Sequence, residues 1–310
     1  MLVRRLGVVC VVLVALTAPA TGAFAAPAYP ADPARHVLTV RGAVSNPVSY
    51  TASQLAALPI ETIQLRGPGG QAIPATGVSL DLLVTTASPM LSAAKNALLR
   101  VIVTASGPSG RRVSFALGEL DPNFGDHDAI VLLSVDGRPL PAGPALAVPG
   151  DQVPVRDLPV VSHIQVGVTN PPVTVPPSPG ALVIQAGRRQ AILSAATLAG
   201  LSQQTQTVTF LAGTAAQTHT ETGPTLTEVL RAAHVREGFN TWVAAVGSDG
   251  YVATVTPAEA RVGGRPLLIS LVEDGTALAA PRLVTDGDIK GGRYVSGVYD
   301  LVVGDGAPAS

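Results

Sequence analysis

A pattern that occurs twice constrains this chain of 310 residues more than any single motif. Residues 266–303 repeat the landmarks of residues 129–166 in the same order, and residues 194–201 match residues 51–58. The paired landmarks, given as first copy and then second copy, are Gly77 and Gly223, Leu80 and Leu226, Gly110 and Gly250, Glu119 and Glu259, Asp136 and Asp274, Gly150 and Gly287, Asp151 and Asp288, and Arg156 and Arg293. This conserved order predicts a module of roughly 130 residues that is present twice.

Local patterns predict short helices and many strands in each module. Residues 36–42 alternate like a half-buried strand, and residues 49–58 are typical of a strand end followed by a helix. Thr51 or Ser53 suits the helix N-cap, because a hydroxyl oxygen accepts a hydrogen bond from an unpaired backbone N–H. A second helix and three further strands are predicted at 80–87, 99–105, 112–115 and 129–135, and Asp136-Gly137 is the predicted turn that ends the last strand. The second copy repeats this order, which predicts an α+β fold dominated by β-structure.

The N-terminal residues have the features of a secretory signal. Arg4 and Arg5 form a short basic region, residues 6–16 are apolar, and Ala23-Phe24-Ala25 fits a cleavage site. We therefore expect a mature protein that begins near Ala26 and is secreted or associated with the cell envelope. Retention of the signal as an anchor is the alternative, but the apolar run is short for a membrane span, and no later run approaches about 18 apolar residues.

Proline content marks the boundary between the two modules. Five prolines lie within residues 167–180, and proline removes N–H donors and fixes φ, so this stretch is expected to be an extended linker. The predicted organisation is a signal peptide at 1–25, a disordered lead-in at 26–36, a first domain at 37–167, a Pro-rich linker at 168–180, a second domain at 181–304 and a tail at 305–310.

Cysteine usage and charge exclude several classes of function. The single cysteine, Cys10, lies inside the predicted signal, so the mature chain is expected to have no disulfide, no cysteine nucleophile and no thiolate ligand. Without Arg4 and Arg5 the chain has 18 basic and 21 acidic residues, a formal charge of −3. This balance does not favour nucleic acid or an anionic membrane as a partner.

The order of elements resembles the molybdopterin-binding domain of the sulfite oxidase family. The resemblance covers about 37–166 and again about 182–303. It depends on Leu55, Leu58, Gly77, Leu80, Asp136-Gly137, Gly150-Asp151 and Arg156, and on Leu198, Leu201, Gly223, Leu226, Asp274-Gly275, Gly287-Asp288 and Arg293. It implies two tandem domains of the sulfite-oxidase type and, as the family's activity, a molybdopterin-dependent oxidoreductase.

Two features of that family are missing from this sequence. The family's molybdenum-binding cysteine precedes the second helix, where this chain has residues 65–68 and 211–214, neither of which contains cysteine. A neutral hydroxyl is a poor replacement for a soft thiolate on a transition metal. The family's late Lys-Trp pair is also absent, and Arg156-Asp157 and Arg293-Tyr294 stand there instead. We therefore expect both domains to lack the cofactor.

The strongest candidate site is the loop that contains Lys290, Gly291, Gly292 and Arg293. Glycine N–H groups beside two cations could hold a small anion such as a phosphate or carboxylate. The alternative is a structural loop in which the two glycines supply positive φ and Arg293 pairs with Asp288. The first copy lacks these glycines, so an anion site is expected in the second domain alone.

Two short motifs suggest metal ligands but lack partners. Asp126-His127-Asp128 and His219-Thr220-Glu221 each offer too few ligands, because a structural site needs about four that converge. We predict no metal site, and a polar turn at the first motif. The favoured function is an exported, non-catalytic protein that binds a small anion or an envelope protein. The alternatives are a molybdopterin-dependent oxidoreductase and an adhesion-like β-rich surface protein.

Overall fold

A computed structural model describes residues 35–308 of the chain. The predicted signal peptide, nearly all of the lead-in and the last two residues of the tail lie outside this range. The described part is dominated by β-structure, with nineteen strands, six short α-helices and two 3₁₀ turns at Ala97–Arg100 and Gly291–Arg293. No helix within it is both long and apolar enough to cross a membrane.

The elements divide into two successive sets. The first comprises β1 His36–Gly42, β2 Val48–Thr51, α1 Ala52–Ala56, β3 Glu61–Arg66, β4 Ala72–Ser79, α2 Leu80–Thr86, β5 Val101–Ser106, β6 Arg112–Ala116, α3 Leu117–Leu120, β7 Ile130–Val135, β8 Arg138–Pro139, β9 Ala145–Ala147 and β10 His163–Val168. The second comprises β11 Leu182–Ala186, β12 Arg189–Leu193, α4 Ala195–Ala199, β13 Gln204–Ala212, β14 Ala215–Gly223, α5 Leu226–Ala232, β15 Thr241–Gly247, β16 Val252–Val255, α6 Pro257–Arg261, β17 Leu267–Glu273, β18 Thr276–Thr285 and β19 Val298–Asp305.

Each half contains two sheets with corresponding strand orders. The mixed sheets run β2-β1-β10-β5-β6 and β12-β11-β19-β15-β16, and in each the first and last strands of the half pair in parallel. The second sheets are antiparallel and run β3-β4-β7-β8, with β9 paired to β7, and β13-β14-β17-β18. The two halves of the chain therefore share one topology.

Local sequence signals account for several element boundaries. Thr51 caps α1 in a capping box with Gln54, as the predicted cap position required. The predicted turn at Asp136-Gly137 has φ of 51° and 70°, which is the pattern of a type I′ hairpin turn. Glycine accepts this conformation at little cost, and Asp tolerates it better than most residues.

Several elements were missing from the predicted set. Strand β4 contains Pro74, and β14 is rich in threonine and mostly exposed, so neither has the apolar alternation of a half-buried strand. Helices α3 and α6 are a turn or so long, which is too short for a helical hydrophobic pattern. These two short helices matter because they carry Glu119 and Glu259.

The segment between the halves has no helix or strand from 169 to 181. It contacts both halves: Arg100 Nη1 donates to Asn170 Oδ1 over 3.0 Å, and Gln185 Nε2 donates to Thr174 Oγ1 over 2.9 Å. The two halves also bury apolar residues against each other. Ile102 of the first half packs in one cluster with Trp242 of the second half.

Candidate functional site

Arg293 points into the protein rather than toward a ligand. It is fully buried, Nε and Nη2 donate to Asp288 over 2.9 and 2.5 Å, and Nη1 donates to Glu259 Oε2 over 2.6 Å. Burial alone would lower the pKa of Arg293, but these two carboxylates outweigh burial and raise it. The predicted pairing of Arg293 with Asp288 is therefore present, with Glu259 as a second partner.

The two glycines of the loop are required for close packing. A Cβ on Gly291 would lie 2.5 Å from Phe210 Cδ2, and one on Gly292 would lie 2.3 Å from Phe124 Cε1. The expectation that these glycines supply positive φ is wrong, since the glycine of this loop with positive φ is Gly287, at 81°. Neither glycine could carry a side chain without displacing an aromatic ring.

Lys290 contacts the opposite half of the chain. Its Nζ donates to Asn123 Oδ1 over 2.9 Å in an exposed position. The four residues of the predicted anion site, at 290–293, are neighbours in the chain. They contact different groups, so their donors do not converge on a common binding position. Anion binding at this loop stays a prediction without a preformed set of donors.

Arg156 has the same environment in the first half. It is fully buried, Nε and Nη2 donate to Asp151 over 2.8 and 2.6 Å, and Nη1 donates to Glu119 Oε1 over 2.6 Å. A further basic residue contacts each aspartate: His127 Nε2 lies 3.0 Å from Asp151 Oδ1. In the second half, Arg265 Nη2 lies 3.3 Å from Asp288 Oδ1. We call these two sets the arginine clusters.

The arginine clusters meet where the two halves pack together. Thr256 Oγ1 of the second half donates to Glu119 Oε2 of the first over 3.2 Å. Backbone hydrogen bonds also cross between the halves, among them those from Gln152 N–H to the Val262 carbonyl over 2.7 Å and from Ile289 N–H to the Phe124 carbonyl over 2.8 Å. The arginine clusters therefore connect the two halves, and each also links a short helix to a later loop of its own half.

The motif Asp126-His127-Asp128 is split among separate partners. Asp126 has φ of 49°, in keeping with a turn, whereas His127 is buried against Asp151. Asp128 Oδ1 accepts from the backbone N–H of Ala129 over 2.7 Å, and burial raises the pKa of Asp128 to about 7. In residues 35–308 no group of three or more His, Asp or Glu side chains is arranged to hold a metal ion.

The second motif, His219-Thr220-Glu221, belongs to a charged cluster that sequence reasoning missed. Glu221 is fully buried and accepts from Arg282 Nη1 over 3.0 Å and from the Tyr294 hydroxyl. His219 Nδ1 lies 3.0 Å from Asp274 Oδ2. The strand pair Glu221 and Glu273 corresponds to Ala75 and Val135 in the first half. Comparing these equivalent strand pairs could have revealed the charged cluster, because the second half has two glutamates where the first half has two apolar residues.

The positions that would hold a molybdenum cofactor do not fit one. Residues 65–68 and 211–214 lie in or beside the β3–β4 and β13–β14 hairpin turns and contain no thiolate. In the second half Leu211 N–H donates directly to the Ile289 carbonyl over 2.8 Å, and the Phe210 ring packs on Gly291. The two segments that would flank a cofactor are therefore in direct contact.

Two surface clefts lie elsewhere in the second half. One, of about 570 Å³, lies between residues 175–180 and strand β18. The other, of about 790 Å³, lies between the β11–β12 turn, the end of α5 and the end of β19. Both volumes are in the range of small-molecule sites.

Comparison with known proteins finds similarity to solved structures at low sequence identity. No family profile and no curated protein matches the chain. Among solved structures, the sulfane dehydrogenase SoxCD from Paracoccus pantotrophus aligns with 12% identity and a TM-score of 0.33, over 84% of this chain and 77% of that chain. Inferences about function therefore depend on this chain's own residues.

Proposed function

We propose that this protein is an exported, non-catalytic binding or interaction protein built from two tandem domains of the sulfite-oxidase type. The motif order of the sequence supports the sulfite-oxidase type, and the corresponding strand order of the two halves supports a tandem duplication. Export is supported by the basic, apolar and small-residue segments of the first 25 residues. The expected partner is a small anion or another protein of the cell envelope.

The observation that carries the proposal is the direct contact between Leu211 and Ile289. Their hydrogen bond of 2.8 Å joins the segment that would provide the metal ligand to the loop that would close over the cofactor. No cysteine follows Cys10 in the chain, and a hydroxyl such as that of Thr214 is a poor ligand for molybdenum. A protein that uses these segments for packing is better suited to binding than to oxygen-atom or electron transfer.

The arginine clusters support the same reading. In an oxidoreductase of this type, buried basic groups near the cofactor would be expected to bind an anionic substrate or the cofactor itself. Here Arg156 and Arg293 direct their donors to carboxylates of the chain. These groups stabilise the fold and are not available to an incoming anion.

Helices α1 and α2 argue against the adhesion-like alternative. Leu55 of α1 and Leu80 of α2 are fully buried in the core of the first half. Two immunoglobulin-type sandwiches would lack helices at these positions. The competing hypothesis is therefore a molybdopterin-dependent oxidoreductase.

The experiment uses full-length protein produced in its native host and collected from exported fractions. Intact mass is expected to place the mature N-terminus near Ala26. Acid release should yield no pterin fluorescence, and sulfite should not reduce an artificial electron acceptor in the presence of the protein. Stoichiometric pterin, or sulfite-dependent reduction, would contradict the proposal and favour the oxidoreductase. Recovery of the uncleaved chain from the cytoplasm would contradict export.

A further inference from the structure

The second half has a cleft at a position where the first half has a longer hairpin connection bonded to a helix end. In the first half, the connection between β1 and β2 spans residues 43–47 and lies against the end of α2. Ser45 N–H donates to the Ser88 carbonyl over 2.8 Å, and Asn46 N–H donates to the Ala87 carbonyl over 3.0 Å. These two hydrogen bonds join the hairpin connection to the end of the helix.

The corresponding connection in the second half is shorter. Strands β11 and β12 are joined by Gly187 and Arg188, two residues in place of five. Helix α5 ends in the same way as α2, because His234 and Ser88 both have φ of 56° one residue after the helix cap. Since the helix end is retained and the hairpin is shorter, a cleft of about 790 Å³ remains between them.

The cleft combines apolar walls with basic groups. Its apolar lining comes from the half-buried Ala186, Ala191, Ala233 and Val235, which lie over the core residues Ile184 and Val303. Arg189, His234 and Arg236 also line it. The one acidic lining residue, Asp305, already accepts a hydrogen bond from the Thr241 hydroxyl over 2.6 Å. Two arginines against this one carboxylate give the lining a net positive charge, which favours an anion.

Arg189 and Arg236 differ from the buried and half-buried arginines of this protein. Arg156, Arg265, Arg282 and Arg293 are all paired with carboxylates. Within residues 35–308, neither Arg189 nor Arg236 forms a salt bridge, and both are exposed. An unpaired guanidinium presents a planar set of donors that matches carboxylate and phosphate oxygens.

We infer that this cleft binds a small amphipathic anion, a molecule with an apolar body and a carboxylate or phosphate head group. The apolar walls receive the body, and Arg189 and Arg236 bind the head group. This inference gives the proposed binding function a ligand class and rests on that function. It assigns the ligand to a different surface from the loop at 290–293.

The test is calorimetric titration of the mature full-length protein with four probes of matched size or charge. Octanoate and octyl phosphate carry the two head groups, octanol lacks the charge, and acetate lacks the apolar body. Saturable binding of one molecule is expected for octanoate, octyl phosphate or both, and the stronger of the two identifies the head group. Octanol and acetate should bind at least about tenfold more weakly, because each loses one class of contact.

Three variants locate the binding in the cleft. Arg189→Gln and Arg236→Gln should each weaken the better probe by about tenfold or more, since each removes charged hydrogen bonds. Ala191→Leu should weaken it by filling the apolar wall. Arg188→Gln is the matched control, because Arg188 is exposed on the same turn but does not line the cleft. It should bind like the wild type.

Failure of both octyl anions to bind would overturn the inference. So would equal binding of octanol, or arginine variants that bind as tightly as Arg188→Gln. A protein free of pterin that binds neither probe would overturn this site and leave the non-catalytic assignment standing. A pterin-loaded, active protein would overturn the proposed function whatever the titration gives.

Discussion

Arg156 and Arg293 occupy equivalent positions in the two halves and make equivalent contacts. Each binds the aspartate five residues before it in the chain and a glutamate on a short helix. All six side chains are buried or nearly so, and the two groups adjoin across the boundary between the halves. This arrangement explains why the Glu, Asp and Arg landmarks recur in the sequence.

Loss of Arg293 should destabilise the protein strongly. Arg293→Met leaves Glu259 buried without its arginine partner and leaves Asp288 with Arg265 as its remaining cation, which is expected to cost about 3–5 kcal/mol. Chemical denaturation monitored by circular dichroism measures this change. Lys290→Met, in the same loop but half-buried, loses one hydrogen bond to Asn123 and should change the free energy of unfolding by no more than about 1 kcal/mol. Equal effects of the two substitutions would contradict a structural role for Arg293.

Adding a methyl group at Gly292 should also be costly. The Cβ of Gly292→Ala would lie 2.3 Å from Phe124 Cε1 and 2.9 Å from Leu99 Cδ1, both in the first half. Overpacking of this kind costs about 1–3 kcal/mol. Gly200→Ala is the control, because Gly200 has φ of −79° and its nearest neighbour would be 3.3 Å away. Equal melting temperatures for the two variants would contradict the close packing of Gly292 against Phe124 and Leu99.

Stability should fall as pH rises from about 4 to about 7. Burial raises the pKa of Asp128 from its ordinary value of 3.8 to about 7, and burial likewise raises the pKa of Asp81 and Asp157 to about 6. A carboxyl with a raised folded-state pKa binds its proton more tightly in the folded state, so its stabilising effect is lost as pH rises through that pKa. Thermal unfolding across this range measures the slope.

Asp128→Asn should reduce that slope, because the amide stays neutral at every pH in the range. The free energy of unfolding is expected to exceed that of the wild type by a few kcal/mol at most, at pH 8 rather than at pH 4.

Below about pH 4 a different carboxyl group, Asp151, affects stability. Burial would raise the pKa of Asp151, but hydrogen bonds from Arg156 and His127 outweigh it and lower that pKa. Its contribution is therefore lost only below about pH 4. For Asp128→Asn, an equal gain in the free energy of unfolding at pH 4 and at pH 8 would contradict the raised pKa of Asp128.

The two halves should unfold together. Trp242 is the only tryptophan, and it packs against Ile102 from the other half. Its fluorescence therefore reports the boundary between the halves, whereas far-UV circular dichroism reports all secondary structure. Coincident denaturation curves are expected from a single cooperative unit. Two separated transitions would show that the halves are energetically independent.

Part of this fold could be predicted from sequence because the signals are local. Alternation predicted β1, the Thr51 cap predicted α1, and Asp136-Gly137 predicted a hairpin turn. Strand β14 could not be predicted in this way, because its exposed threonines carry no apolar period. Its place in the sheet is fixed by pairing with β13 and β17, which is a tertiary property.

The candidate site was predicted in part. The recurrence of Asp288 and Arg293 indicated a structural pair, but nothing near them in sequence indicated Glu259 as the second partner, although it had been matched to Glu119. The cleft beside Arg189 and Arg236 depends on the length of a hairpin turn relative to its counterpart. That comparison requires the strand ends, which sequence patterns locate less well than the strands themselves.

The molybdenum content of protein purified from its native host tests the central claim most directly. The direct contact of Leu211 with Ile289 and the missing thiolate predict far less than one molybdenum atom per chain, by mass spectrometry of the metal against quantitative amino-acid analysis. One molybdenum atom per chain, retained through gel filtration, would contradict the account and identify the protein as a cofactor-dependent enzyme.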